Sequence, residues 1–225
     1  VLINFILNKY GKNLIIFITN RNMKIQISES QLKRLMENKS NPFYILYHSS
    51  DSDMFDTYDH TKAAKGDRYF NPLGNGLYCS TNKDFSKGFG KNVYYYLLPK
   101  TSKIKVITQN SWVTKDYPGI LSKVLRKHKV KYSTLDLNMK VMLNQLGNDA
   151  PISSLNELSH VLMEDLGLTG ADDTIENVVD ERNASYDAVW YRSTDYYLEA
   201  DEVVIPPSKF RKDFFVKQLP ENINS

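Results

Sequence analysis

The sequence predicts an α+β fold, and three observations carry that reading. Strand-like segments rich in Tyr, Val and Ile occupy 43–107, helical periodicity occupies about 117–183, and strand character returns from Ala188 onward. No internal repeat and no alternating strand–helix–strand pattern is present, so a doubly wound parallel sheet is not expected.

The first ordered element is a short helix over 29–37. Ser28 and Gln31 form a capping box, and Ile27 with Leu32 provides a hydrophobic staple. Phe43 to Tyr47 then reads as a buried aromatic strand with His48 at its end. Ser49 to Asn75 is polar and aperiodic, a loop of a length that is usually functional. Gly76 to Ser80 is extended, with Cys79 facing inward, opposite Tyr78. Thr81 is the expected cap of a helix over 83–88. Val93 to Leu98 is a further strand, and 103–107 alternates charged and apolar residues as a half-exposed strand does.

In the helical stretch, Ile120, Leu121, Val124 and Leu125, then Leu155, Leu158, Val161 and Leu162, recur at core-facing spacing. Ser153 and Thr174 are the expected caps, and Gly167 and Gly170 the expected stop. Strands follow over 188–191, 202–205 and 214–216. The expected organisation is an appendage at 1–42, a domain at 43–218 with a helical insertion at about 117–183, and a tail at 219–225. Residues 1–22 precede the orderly stretch that Met23 opens, and read as an appendage or an upstream in-frame extension.

Composition excludes several classes. The chain is 41% hydrophobic and 24% charged, which suits a globular protein rather than a disordered one. A formal charge of +3, from 29 basic and 26 acidic residues, is too small and too evenly interspersed to argue for an electrostatic nucleic-acid footprint. The run Lys123, Arg126, Lys127, Lys129 and Lys131 reads as a solvated helix face, with contact to an anionic partner as the alternative. Neither N-terminal apolar run reaches the roughly 20 residues of a membrane span. One cysteine excludes an internal disulfide and suits a reducing cytosol. A cytoplasmic location, a monomeric state and no membrane partner are the accompanying expectations. Four histidines without H-E-x-x-H or C-x-x-C spacing give no metal site, and Gly74-Asn75-Gly76 lacks the Lys-Ser/Thr of a phosphate loop.

What remains is a set of residues in a particular order. Tyr47-His48-Ser49 ends a strand, Gly76-Leu77-Tyr78 starts one, Ser86 and Phe89 lie eight and eleven residues beyond Tyr78, and Glu202 opens a late strand. This order resembles the ADP-ribosyltransferase superfamily, in the His-Tyr-Glu branch that includes diphtheria toxin and the poly(ADP-ribose) polymerases, and looks similar to its small bacterial and phage members. The likeness covers about 43–98 and 186–210.

The resemblance implies a split, mixed or antiparallel sheet core and a glycosyltransferase reaction. In it NAD is the co-substrate, nicotinamide leaves and ADP-ribose passes to a protein or nucleic-acid acceptor. It implies Glu202 as the catalytic residue, with His48, Ser49, Gly76, Tyr78, Ser86 and Phe89 binding NAD. Three departures are present: Ser49 replaces the usual Gly, Phe89 an often-found Tyr, and Ala200 the second acidic or amide residue of the arginine-modifying subclass. The competing expectations are a degenerate nucleotide-binding or phage host-interaction module, placed in host cytoplasm if phage-encoded, and an RNA 2′-phosphotransferase. The latter lacks its Arg-rich phosphate set here.

Overall fold

A computed structural model describes residues 25–27, 41–51, 73–108, 110–148, 150–192 and 200–218. Its strands are β1 (Ile25–Ile27), β2 (Phe43–Ser50), β3 (Leu77–Ser80), β4 (Asn92–Pro99), β5 (Ile104–Thr108), β6 (Ala188–Arg192), β7 (Glu202–Ile205) and β8 (Phe215–Gln218). The helices are α1 (Lys83–Lys87), α2 (Val113–Asp116), α3 (Ile120–Lys127), α4 (Leu137–Gly147), α5 (Leu155–His160) and α6 (Ala171–Asn183). The class is α+β, with both parallel and antiparallel pairing. The expected helix over 29–37 and most of the 49–75 loop lie outside the described residues.

The chain divides into two compact units. In the first, the strand order is β1-β8-β4-β2, with β1 parallel to β8 and the other pairs antiparallel. The β2–β4 ladder runs from Phe43↔Pro99 to Ser50↔Asn92, so β2 extends three residues past its expected end at Tyr47. On its other edge β2 has one register pair, Tyr47↔Ser80. Tyr94, Tyr95 and Tyr96 are all buried because β4 is covered on both faces. Tyr94 stacks on Phe215 at 4.9 Å, and Tyr95 meets Tyr47 edge-on at 5.6 Å. Residues 25–27, placed in an appendage by the sequence, belong to this sheet: Ile25 registers with Val216.

Helix α1 is capped by Asn82, whose side chain accepts from the Asp84 and Phe85 amides, and not by Thr81. Both residue types cap well, and the adjacent Asn takes the position.

In the second unit the strand order is β3-β7-β6-β5, with β5 parallel to β6. Helices α2 to α6 supply most of a large apolar core that includes Ile107, Val113, Ile120, Val124, Leu143, Leu155, Leu158, Ile175 and Val179. The helical spacing read from 120–125 and 155–162 is therefore the core face. Past His160 the last turns widen to five-residue steps, with Leu166 N–H donating to Val161 O at 3.3 Å. Thr174 does not cap a helix. It sits inside α6 and its hydroxyl donates back to Gly170 O at 3.0 Å, while Gly170 itself holds the N-cap position and Ser154, not Ser153, precedes α5.

The facing of β5 reverses the expectation for a half-exposed strand. Lys105 and Ile107 point inward while Val106 is 48% exposed. Lys105 is tolerated inside because its ammonium donates to Asn183 Oδ1 at 3.1 Å and lies 4.1 Å from the centroid of the Tyr117 ring. Burial nevertheless pushes its pKa down to about 8.

After α3 the chain turns through Lys129 at φ +58°, the one non-glycine residue with positive φ among the described residues. Val130 N–H donates to Leu125 O at 2.9 Å and Lys129 N–H to Arg126 O at 3.1 Å, a left-handed cap in which glycine is the usual residue. The left-handed region costs an L-residue roughly 1–2 kcal/mol. Lys129→Gly is therefore expected to stabilise the fold by about 1 kcal/mol, a rise in melting temperature of roughly 2–4 °C. A thermal melt that stays level or falls overturns that expectation.

Candidate functional site

The turn before β3 is built by α6. Asp180 grips Asn75 twice, accepting its backbone N–H at 2.8 Å and its side-chain amide at 2.8 Å. One helical turn on, Asn183 donates to Leu73 O at 3.0 Å. A carboxylate on the Asn75 amide leaves no phosphate cradle in Gly74-Asn75-Gly76, which is a clamped turn. Gly76 follows at φ +156°, and a Cβ there would lie 2.3 Å from Ile205 O of β7. Only glycine permits that approach.

Tyr78 and Glu202 are consequently brought together within the second unit. The Tyr78 hydroxyl donates to Gly74 O at 2.7 Å, which fixes the ring, and the ring is only partly buried. Burial raises the Tyr78 pKa well above its usual value, and the Glu202 carboxylate adds to the rise, followed by Glu176 and Asp180. The phenol therefore stays protonated and acts as a donor.

Glu202 is accessible to solvent at the start of β7, ahead of the fully buried Val203, Val204 and Ile205. Surrounding protein still withdraws enough water to hold its carboxyl above the ordinary glutamate value. Asp201, one residue away and chemically similar, is engaged elsewhere: it accepts the Trp190 indole N–H at 2.8 Å. That bond separates the two carboxylates by role. Cys79 is buried as expected, and burial, then Glu202, raises its thiol far from any reactive range.

The first unit holds His48, Ser49, Ser86 and Phe89. His48 is half-buried, with its ring 6.2 Å from both Tyr94 and Phe215. Ser49 is buried, and its Oγ lies 2.9 Å from Ser86 Oγ across α1 and β2. The hydroxyl that Ser49 carries in place of a glycine hydrogen thus binds α1 to the strand.

Ser86 and Phe89 do not share a helix face. The helix ends at Lys87, Ser86 points inward, and Phe89 is 65% exposed with Phe85 5.5 Å away. Gly90, unnoticed in the sequence, lets this segment close on β2: a Cβ there would lie 2.2 Å from the Ser50 carbonyl carbon. Asp180 and Asn183 were equally invisible, being 105 and 110 residues from their partners in the turn.

Comparison with protein-family models, curated proteins and solved structures finds no match. Among the described residues no helix is long and apolar enough to cross a membrane. The local chemistry of these residues is accordingly what bears on function.

Asp180→Ala removes both bonds to Asn75 and leaves its amide groups to find water. A loss of about 1.5–3 kcal/mol in unfolding free energy is expected from hydrogen bonds to a charged acceptor. Urea denaturation that shows a loss under about 0.5 kcal/mol contradicts the clamp.

Proposed function

We propose that the chain is an NAD-dependent ADP-ribosyltransferase, transferring ADP-ribose from NAD to a macromolecular acceptor with release of nicotinamide. The observation that carries the proposal is the pairing of a fixed, partly exposed Tyr78 ring with the Glu202 carboxylate, joined through the Gly76–Ile205 approach. Cleaving the nicotinamide–ribose bond takes the bonding pair onto the departing nicotinamide nitrogen and leaves positive charge on the ribose. A nucleophilic atom of the acceptor then bonds to the sugar carbon and gives up its proton.

Such a reaction needs a flat wall for the nicotinamide and an anion near the sugar. Tyr78 supplies the wall, with stacking worth about 1 kcal/mol beyond burial. Ionised Glu202 supplies the anion. At roughly 4 Å and an effective dielectric near 20 the attraction is about 4 kcal/mol, about three powers of ten in rate. Further support comes from the raised Glu202 carboxyl, since carboxylates with perturbed pKa values cluster at functional sites. His48, Ser49, Ser86 and Phe89 belong to the first unit, and their roles toward NAD rest on the resemblance alone.

Incubation with NAD labelled in the nicotinamide and in the adenylate tests the proposal. Wild type should release nicotinamide, and Glu202→Gln should slow release by about a thousandfold. Equal rates in the two proteins would sink the assignment. If NAD raises the melting temperature without any turnover, the chain is a nucleotide-binding module instead.

The ionised form of Glu202 is the useful one, so kcat/KM should fall as pH drops through its raised pKa. The acid limb should lie above the usual 4.5 of glutamate. A limb at or below that value, in an enzyme whose other properties are intact, contradicts the role.

Stability should move the other way. Because the folded state holds the Glu202 proton more tightly than the unfolded chain, ionisation destabilises the fold above the raised pKa and has no effect below the ordinary one. Glu202→Gln should therefore melt higher than wild type at pH 7 and level with it near pH 3.5. An equal melt at pH 7 refutes the link.

A further inference from the structure

The basic run that follows the core face of α3 does more than solvate a helix. Arg126, Lys129 and Lys131 line an open cavity of about 690 Å³ in the second unit, together with Tyr132, Asn144 and Asn148, and among the described residues none that lines it is acidic. No salt bridge to these three cations is found among the described residues. By contrast, the neighbouring Lys123 pairs with Glu181 at 2.7 Å. The Tyr132 ring is 42% exposed, and its hydroxyl donates to Lys140 O at 2.9 Å, which sets the ring against α4 in advance of any ligand. At the far wall the Asn148 amide donates to Asn144 Oδ1 at 2.8 Å, placing two carboxamides side by side.

We propose that this cavity binds single-stranded nucleic acid, with Arg126, Lys129 and Lys131 on successive phosphates, Tyr132 stacked on a base, and Asn144 and Asn148 at its edge. Cations alone would suit any polyanion, and the C-terminal dipole of α3 would by itself account for Arg126 and Lys127. It does not account for Lys131, four residues beyond the helix, or for Lys129. Lys129 occupies a left-handed position that a glycine fills without strain, so a cationic side chain is kept at the rim against a backbone cost.

An exposed aromatic ring among cations and carboxamides is the combination that single strands use, since every base offers a face to stack. A cavity of this size matches a ligand of one or two nucleotides. A paired duplex keeps its bases stacked inside and cannot offer one to Tyr132. The cavity is independent of Tyr78 and Glu202, and its test uses no NAD.

Fluorescein-labelled U10 RNA and dT10 DNA are titrated with the full chain and followed by anisotropy at several salt concentrations. Saturable binding of at least one strand is expected, with log affinity falling against log salt at a slope near two, about 0.7 for each of three neutralised phosphates. Tighter binding of U10 identifies RNA as the source and tighter binding of dT10 identifies DNA, and either supports the site.

Tyr132→Leu should weaken binding roughly tenfold with the slope unchanged. Lys129→Gly should lower the slope by about 0.7. A thermal melt of the same variant at or above that of wild type excludes a folding defect as the cause of that loss. Absence of saturation with both strands overturns the proposal. So does a ten-base-pair duplex binding as well as the single strands, or an unchanged slope in Lys129→Gly. Poly-glutamate displacing the strand as effectively per charge as unlabelled U10 also overturns it, and makes the surface a general polyanion or acidic-peptide site.

Discussion

The absent Cβ of Gly76 is the constraint on which the second unit's chemistry depends. With 2.3 Å between that position and Ile205 O, no other residue lets β3 start where it does beside β7. Tyr78 and Glu202 are neighbours only because those two strands run together from that point. The clamp from Asp180 and Asn183 acts on the residues just before it, so α6 determines the path by which the chain reaches the glycine. A helix face, a turn, the start of β3 and the end of β7 thus form one mechanical unit.

Several parts of this were legible in the sequence for local reasons. The strand at 43–47 follows from a run of aromatic and β-branched residues, though not its continuation to Ser50, and the core face of α3 follows from helical spacing. Glu202 at the start of β7 was readable because three buried apolar residues follow it. Each of these signals lies within a few residues of the feature it predicts. The ordering of His48, Gly76, Tyr78 and Glu202 added the chemistry, but only as a likeness.

The rest was not legible because its cause is distant or competitive. Lys105 faces inward since Asn183, 78 residues later, offers an acceptor, and nothing in the local alternation signals that. The partner of β1 lies some 190 residues downstream. Thr174 looked like a cap because a threonine hydroxyl bonds backbone carbonyls equally well from inside a helix. Ser86 points inward and Phe89 outward because α1 stops at Lys87, and the residue beyond a helix end no longer obeys its period.

The lone cysteine acquires a use from where it sits. Cys79 is buried one residue after Tyr78, and its thiol is held protonated. A thiolate able to react forms only when β3 leaves its place, so the modification rate of this one sulfur is a clock for transient opening of the strand that carries Tyr78. With no second thiol in the chain to confuse the signal, the protein carries a built-in reporter of local breathing at its own candidate site.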